Sequence, residues 1–321
     1  QGWEQHFKRF SFTPMAAASI GQVHAAISQS DRQLALKIQY PGIGESINSD
    51  VDNVATLLKV SRLLPDGLDL LPLLQEAKRQ LHEEADYLLE AGHLRRFAVA
   101  LEESPEFLVP GVDEHFTRRN ILAMDLLEGE PIESLVTATQ ETRDRIAGLL
   151  LDLFFRELFE FGMIQTDPNF ANFLYNTRTR QLGLLDFGAT RAYPVAVIKA
   201  YRGLLEAALR EDHAAMAESA QAIGYFKKDI HAQQRTAVMK LFVLATEPAR
   251  TRGRFDFGAS DLAIRIRNAG MALSFEQGYW HTPPADAVFL HRKLGGLYLL
   301  AARLRAKVDV RIILERYLHH E

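Results

Sequence analysis

The sequence predicts an α+β fold: a small β-sheet lobe with added helices over residues 1–125, then a larger, mainly helical lobe over residues 126–321. Three observations predict it. Gln33–Tyr40 alternates apolar and polar residues as a half-buried strand does, and Asn120–Leu127 is a second strand-like run. From Tyr193 almost to the end the apolar residues recur at helical spacing. Between these regions, Leu182–Leu185 reads as a short apolar strand that delivers Asp186 to a turn, with Gly188 freeing the backbone just beyond it.

Composition bounds the function. A chain of 321 residues, 47% hydrophobic, buries a sizeable core. The net charge of -4, from 37 basic and 41 acidic residues, implies no general affinity for nucleic acid. With no cysteine, disulfides, thiolate zinc sites and cysteine nucleophiles are excluded. Apolar runs such as Leu297–Ala302 fall far short of the ~20 residues a membrane-spanning helix needs. The chain starts at Gln1 rather than Met, and is expected to be a fragment or a processed form.

In order, the small-residue stretch Ala16-Ala17-Ala18-Ser19-Ile20-Gly21-Gln22-Val23 precedes the first clear strand. Set on the phosphate-covering loop G-x-G-x-x-G-x-V, it keeps Gly21 and Val23 but carries Ala16 and Ala18 at the first two glycines. Each added Cβ disfavours positive φ, so the loop is expected to be stiff. Lys37, bracketed by Leu36 and Ile38, then stands where V-A-I-K places a phosphate-binding lysine. Pro41-Gly42 breaks the strand, Ser46–Leu64 has helical period, and Pro65-Asp66-Gly67 is a turn. One long helix is expected from about Pro72 to Ala100. It offers Glu76, Glu83, Glu84, Asp86 and Glu90 as partners for Lys37; Glu83, Tyr87, Glu90 and Leu94 share a face, whereas Glu84 and Glu90 are about 120° apart on the wheel and so unable to serve one lysine together.

Further on, Met124 is expected behind an adenine, with backbone groups of Asp125 to Leu127 on its edge. Arg143–Gly162 reads as a buried apolar helix beneath a loop that holds Asp167 and Asn172. Asp167-x-x-x-x-Asn172 followed by Asp186-Phe187-Gly188 has the spacing of a kinase catalytic loop and its metal-binding aspartate. Phosphoryl transfer needs a cation on the phosphates (Lys37), hard oxygen ligands for Mg²⁺ (Asn172, Asp186) and an acceptor-orienting carboxylate (Asp167). Two departures argue against a protein substrate. Gln165-Thr166 replaces the His-Arg before the catalytic aspartate, and no A-P-E segment follows Gly188. Asp256-Phe257-Gly258 lacks an apolar strand before it and is read as a loop.

At these residues the sequence resembles the UbiB family of atypical kinases, the aarF-domain proteins tied to coenzyme Q biosynthesis. The matching segments are Ala16–Val23, Lys37-Ile38-Gln39-Tyr40-Pro41-Gly42, Glu84-Ala85-Asp86-Tyr87, Thr166-Asp167-Pro168-Asn169 with Asn172, and Leu185–Arg191. The resemblance implies a protein-kinase-like fold, ATP and Mg²⁺ as cofactors, a Lys37–Glu90 pair, and Glu84 and Asp86 as the family's E-x-D motif. It implies nucleotide contacts from Ala16, Ala17, Ala18, Ser19, Gly21, Val23, Lys37, Glu90, Met124, Asp125 and Leu127. The family's K-x-G-Q extension would precede Gln1. The implied setting is the bacterial cytoplasm or inner-membrane periphery, or the matrix face of the mitochondrial inner membrane, in contact with lipid and quinone-biosynthesis proteins. A small-molecule kinase or ATPase is the first reading, and a nucleotide-binding scaffold for a biosynthetic complex the second.

Overall fold

The computed structural model describes residues 2–61, 71–226, 230–273 and 283–318. Two compact units divide the chain: Gln1–Gly129 with Asn172–Thr190, and Glu130–Ala171 with Arg191–Glu321. Residues 172–190, assigned by chain order to the helical lobe, thus group with the sheet-bearing unit.

In the first unit an antiparallel sheet runs in the order β1 (Phe7–Phe10), β3 (Gly21–Ser28), β4 (Gln33–Gln39), β6 (Ile121–Asp125), with β2 (Ala16–Ala18) also paired to β3. Successive side chains of a strand point to opposite faces. Leu34 and Leu36 of β4 therefore join Ala26 and Ala123 in a core closed by Phe7, Phe10, Ile38 and Phe116. Ala35 and Lys37 turn to the other face, where Lys37 is also buried. A second sheet places β10 (Gln181–Leu184) between β9 (Phe173–Asn176), antiparallel, and β5 (Phe107–Leu108), parallel. Its central strand ends at Leu184, two residues before Asp186.

The expected glycine loop is a β-hairpin. Ala16 pairs Val23 and Ala18 pairs Gly21, leaving Ser19-Ile20 as the turn. Neither alanine has positive φ. Gly21 is required for a different reason from phosphate approach: a Cβ there would lie 2.2 Å from the Ile38 carbonyl oxygen of β4.

Helix α1 (Ile43–Ser61) is followed by α2 (Leu71–Glu84) and α3 (Tyr87–Ala100). The single helix expected from Pro72 to Ala100 is therefore two. Asp86 is extended (φ -111°, ψ 92°), and its carboxylate accepts the Leu88 N–H at 3.1 Å as the N-cap of α3. An N-cap aspartate satisfies the orphan amides of a new helix, so it ends the old one. The turn at Pro65–Gly67 and the last residues of the Ser46–Leu64 helix lie outside the described residues.

The second unit is helical. After β7 (Glu130–Pro131) comes α4 (Gln140–Arg156), whose Leu150, Leu151, Leu153, Phe154 and Phe155 are buried. A π-helical turn, Glu157–Phe161, and left-handed Gly162 (φ 61°) bring the chain into β8 (Met163–Gln165). After β11 (Thr190–Ala192) come α5 (Val195–Leu209), α6 (His213–Ile223), α7 (Ala232–Ala245), α8 (Glu247–Arg250), α9 (Leu262–Met271), α10 (Ala285–Arg303) and α11 (Val310–Leu318). Phe255–Asp256 is β12, paired to β13 (Lys307–Val308). Asp256 is engaged there by Lys307 at 2.9 Å and by the amides of Gly258 and Ala259, a turn rather than a second metal site. Among the described residues no helix is long and apolar enough to cross a membrane.

Gly21→Ala is expected to lower stability by about 2–3 kcal/mol in urea unfolding, because two paired backbones must part. Gly44→Ala in α1, where a Cβ meets nothing within 4 Å, is expected to raise it by about 0.5–1 kcal/mol.

Candidate active site

Lys37 is 4% exposed at the centre of β4, and an ammonium this deep requires paired anions. It has two. Its Nζ donates to both carboxylate oxygens of Glu90, at 3.0 and 2.9 Å, and to Asp186 Oδ2 at 3.0 Å. Glu90, 1% exposed, sits one turn into α3, and the Tyr87 ring one turn before it lies 5.1 Å beneath the ammonium. The break at Asp86 sets this arrangement, since it starts α3 so that Tyr87, Glu90, Ala91 and Leu94 form its buried face. Glu83, expected on that face, ends the other helix and pairs with Arg79 at 2.6 Å.

Asp186 is fixed from its own turn. The Gly188 N–H donates to Oδ1 at 2.9 Å and the Phe187 N–H donates to Glu90 at 3.3 Å. Phe187 is buried against Phe97 of α3, ring centroids 4.8 Å apart. The Leu185 N–H donates to the Asn172 carbonyl at 3.0 Å, which places Asn172 beside the strand end that carries Asp186. Lys37, Glu90, Asn172 and Asp186 are thus together in the first unit. Asp167 belongs to the second unit.

The electrostatics follow from burial against pairing. Burial alone pulls the Lys37 ammonium down, but Glu90 and Asp186 outweigh it and its pKa is raised. Burial raises Asp186, yet Lys37 and the Gly188 amide more than offset it and hold the carboxyl below its ordinary range. Glu90 is pushed up by burial and by Asp186, against Lys37 and the Phe187 amide.

Glu84 and Asp86 do not touch Lys37. Glu84 accepts a hydrogen bond from Ser19 at the tip of the β2–β3 turn, and Asp86 caps α3 and faces Arg119 at 3.4 Å. The hinge differs in part from expectation. Met124 is buried in β6, as a core strand residue is. The Asp125 N–H donates to Gly111 and the Leu126 N–H to Gln33, and the Asp125 carboxylate binds Arg32 at 2.6 Å. Asp125 therefore has no amide left for an adenine, which leaves that of Leu127.

In the second unit α10 supports the Asp167 loop, which sequence reasoning missed. Arg292 donates to Asp167 Oδ1 at 3.2 Å. Lys293, 1% exposed, donates to Gln165 Oε1 at 2.8 Å and lies 4.0 Å from buried Glu157. Burial lowers the Lys293 pKa, opposed by Glu157 and Asp167, and pushes Glu157 up to about 7. A Cβ on Gly296 would fall 2.3 Å from Pro168 Cβ, so the helix passes directly against the loop. The signal was present: Leu290, Lys293, Leu297 and Leu300 share one apolar helical face. A lysine there is buried, not solvated.

The donor set fits a hard, phosphate-bridged cation. Asp186 and Asn172 offer oxygen, and Mg²⁺ is commonly held by one or two carboxylates plus substrate phosphates and water. Among the described residues no group of three or more His, Cys, Asp or Glu forms a cage of its own.

Glu90→Ala is expected to cost about 3–5 kcal/mol, because it strands a buried charge. Lys37→Met combined with Glu90→Leu is expected to recover most of that stability in denaturant titrations, with nucleotide binding lost.

Residues 1–220 match the model of the ABC1 atypical kinase-like domain. The chain is 40% identical over 309 residues to the mitochondrial atypical kinase COQ8 of Saccharomyces cerevisiae, covering 95% of this chain and 61% of that protein. It is 37% identical to the mitochondrial atypical kinase COQ8B of Rattus norvegicus, covering 99% and 60%. The chain thus spans about three-fifths of these relatives. The structure of Rv3197 from Mycobacterium tuberculosis, solved with erythromycin, superposes with a TM-score of 0.73 at 25% identity, over 99% of this chain and 79% of that one. With a matching domain model over more than half its length, relatives of this similarity, and the Glu90 and D-F-G Asp186 carboxylates both bound to the Lys37 ammonium, the chain belongs to the ABC1 (UbiB) family of atypical kinases.

Proposed function

We propose that the protein binds ATP with Mg²⁺ at the Lys37, Asn172 and Asp186 side chains and uses it for phosphoryl transfer to a small-molecule or lipid-associated acceptor, or to water, in support of quinone biosynthesis. The observation that carries this reading is the buried ammonium of Lys37, held at 3.0 Å or less by Glu90 and at 3.0 Å by Asp186. A buried cation fixed by two acids is costly as a stability device alone, because well-packed apolar residues do as well. It is suited to a polyphosphate, whose oxygens replace the Asp186 oxygen at Nζ while Glu90 keeps the lysine aimed.

When bound, Mg²⁺ would neutralise charge developing on the transferred group, with Asp186 and Asn172 as its protein ligands. Asp167 takes the hydroxyl proton of the acceptor by its place in the D-x-x-x-x-N loop, and Arg292 holds its carboxylate. Leu127 offers its amide to the adenine edge, and the Ala16–Val23 hairpin covers the phosphates. The relatives named as mitochondrial support a mitochondrial setting.

The second reading, a nucleotide-bound scaffold without turnover, is favoured by the hairpin. Its two-residue turn is closed and Ser19 is already engaged by Glu84. Turnover separates the two.

In a thermal-shift assay with Mg-ATP at a hundred times Kd, the wild type is expected to gain about 2.7 kcal/mol, roughly 5 °C or more. Asp186→Asn is expected to abolish the Mg²⁺-dependent part, and an undiminished shift refutes the metal role. Asp167→Asn is expected to keep the shift and lose turnover about 10²–10⁴-fold. Wild type that binds without turning over supports the scaffold.

A further inference from the structure

The helical unit contains a pocket of about 380 Å³ walled by α7, α9 and α10, with Tyr225 at one side. It is independent of the nucleotide residues, all of which lie elsewhere in the chain. Val238, Phe242 and Leu294 form apolar walls, and no charged side chain lines it among the described residues. The volume is within the range of small-molecule sites and about two and a half times the ~150 Å³ that accommodates benzene.

Two glycines open it. Gly270 of α9 and Gly295 of α10 both line the pocket, and a Cβ built on either meets nothing within 4 Å among the described residues. Glycine inside a helix costs about 1 kcal/mol against alanine. At the neighbouring Gly296 packing requires it, because Pro168 occupies the space. At Gly270 and Gly295 nothing among the described residues requires a glycine for packing, and what the missing side chains leave is room.

One end is polar. The Tyr201 and Tyr225 hydroxyls are 2.8 Å apart, and Tyr225 Oη is 2.6 Å from His291 Nε2. His291 lines the pocket and is accessible. Its Nδ1 has no partner among the described residues, so it is the atom, donor or acceptor according to tautomer, that the relay leaves to an occupant. The third polar group, the Tyr298 hydroxyl, is spent on the Ala245 carbonyl at 3.0 Å.

We propose that this pocket binds an uncharged, largely apolar small molecule that carries one hydrogen-bonding group and places it at His291. Among the described residues the walls carry no charge to compensate an ionised ligand for desolvation, which selects against one.

The test uses N-phenyl-1-naphthylamine, an uncharged three-ring fluorophore with one N–H, on the full chain without nucleotide. The wild type is expected to give saturable enhancement at one probe per chain, with hydrogen-exchange protection confined to α7, α9 and α10. Gly270→Phe and Gly295→Phe, which fill the pocket, are expected to weaken binding about tenfold or more, and Gly44→Phe in α1 to leave it unchanged. The sulfonated analogue 8-anilino-1-naphthalenesulfonate is expected to bind at least about tenfold more weakly. A pocket filled by the protein's own side chains gives no saturable enhancement, and that result overturns the proposal. So does equal affinity in both filled variants, protection elsewhere in the wild type, or equal binding of the charged analogue. The wild-type measurements decide the matter if the variants fail to fold.

Discussion

Everything in the first unit serves one constraint: a primary ammonium has been taken out of water and must be matched. Lys37 lies on β4 in the run Leu34–Lys37, where residues of both faces are buried. Two carboxylates from different parts of the chain meet it, one on α3 and one on the turn after β10. Desolvating three charges is recovered only if their geometry is held tightly. That requirement explains features otherwise unrelated. Asp86 restarts the helix, Phe187 anchors its turn on Phe97, the Phe187 and Gly188 amides donate to the two acids, and Tyr87 closes the floor.

The three groups differ in what they are free to do. Glu90 is enclosed and binds the lysine through both oxygens. Asp186, its side chain 29% exposed, binds it through one. On the function proposed above, an incoming polyphosphate would displace the aspartate and leave the glutamate in place. On that function the same aspartate, freed of the lysine, would serve with Asn172 as an oxygen ligand of the cation. The second unit solves a parallel problem for its own aspartate with α10, which brings Arg292 to Asp167 and buries Lys293 beneath the preceding Gln165. Where a protein kinase carries His-Arg before this aspartate, the cationic support here comes from a helix far along the chain.

Much of this was legible in the sequence. Alternation gave β4 and the face of Lys37, helical period gave the run of helices from Val195, and an apolar stretch ending in Asp-Phe-Gly gave the strand end at Asp186. What escaped it depends on competition between local signals or on contacts distant in sequence. The helical period across Leu71–Ala100 is nearly continuous, so one helix was expected, and only the N-cap role of Asp86 breaks it. The wheel placed Glu83 with Glu90 on that false continuity, although its separation of Glu84 from Glu90 agrees with the structure. The loop pattern marks Gly21, but the Ile38 carbonyl that excludes a Cβ there is a register contact no local pattern records. The expected adenine edge names backbone groups from Asp125 to Leu127, and no local pattern shows that the loop at Gly111 and the start of β4 claim the Asp125 and Leu126 amides. Arg292 and Lys293 stand far from Asp167 in sequence, and only the apolar face around Lys293 hinted that it is buried.

The central claim is that Lys37, Asp186 and Asn172 form one polyphosphate and cation site. Anomalous diffraction from crystals grown with Mn²⁺ and a non-hydrolysable ATP analogue tests it most directly. The account predicts a manganese peak in contact with the Asp186 carboxylate and the Asn172 amide oxygen, with phosphate oxygens on Lys37 Nζ and Glu90 still bound to it. Manganese on other residues, or an analogue whose phosphates lie away from Lys37, would contradict it.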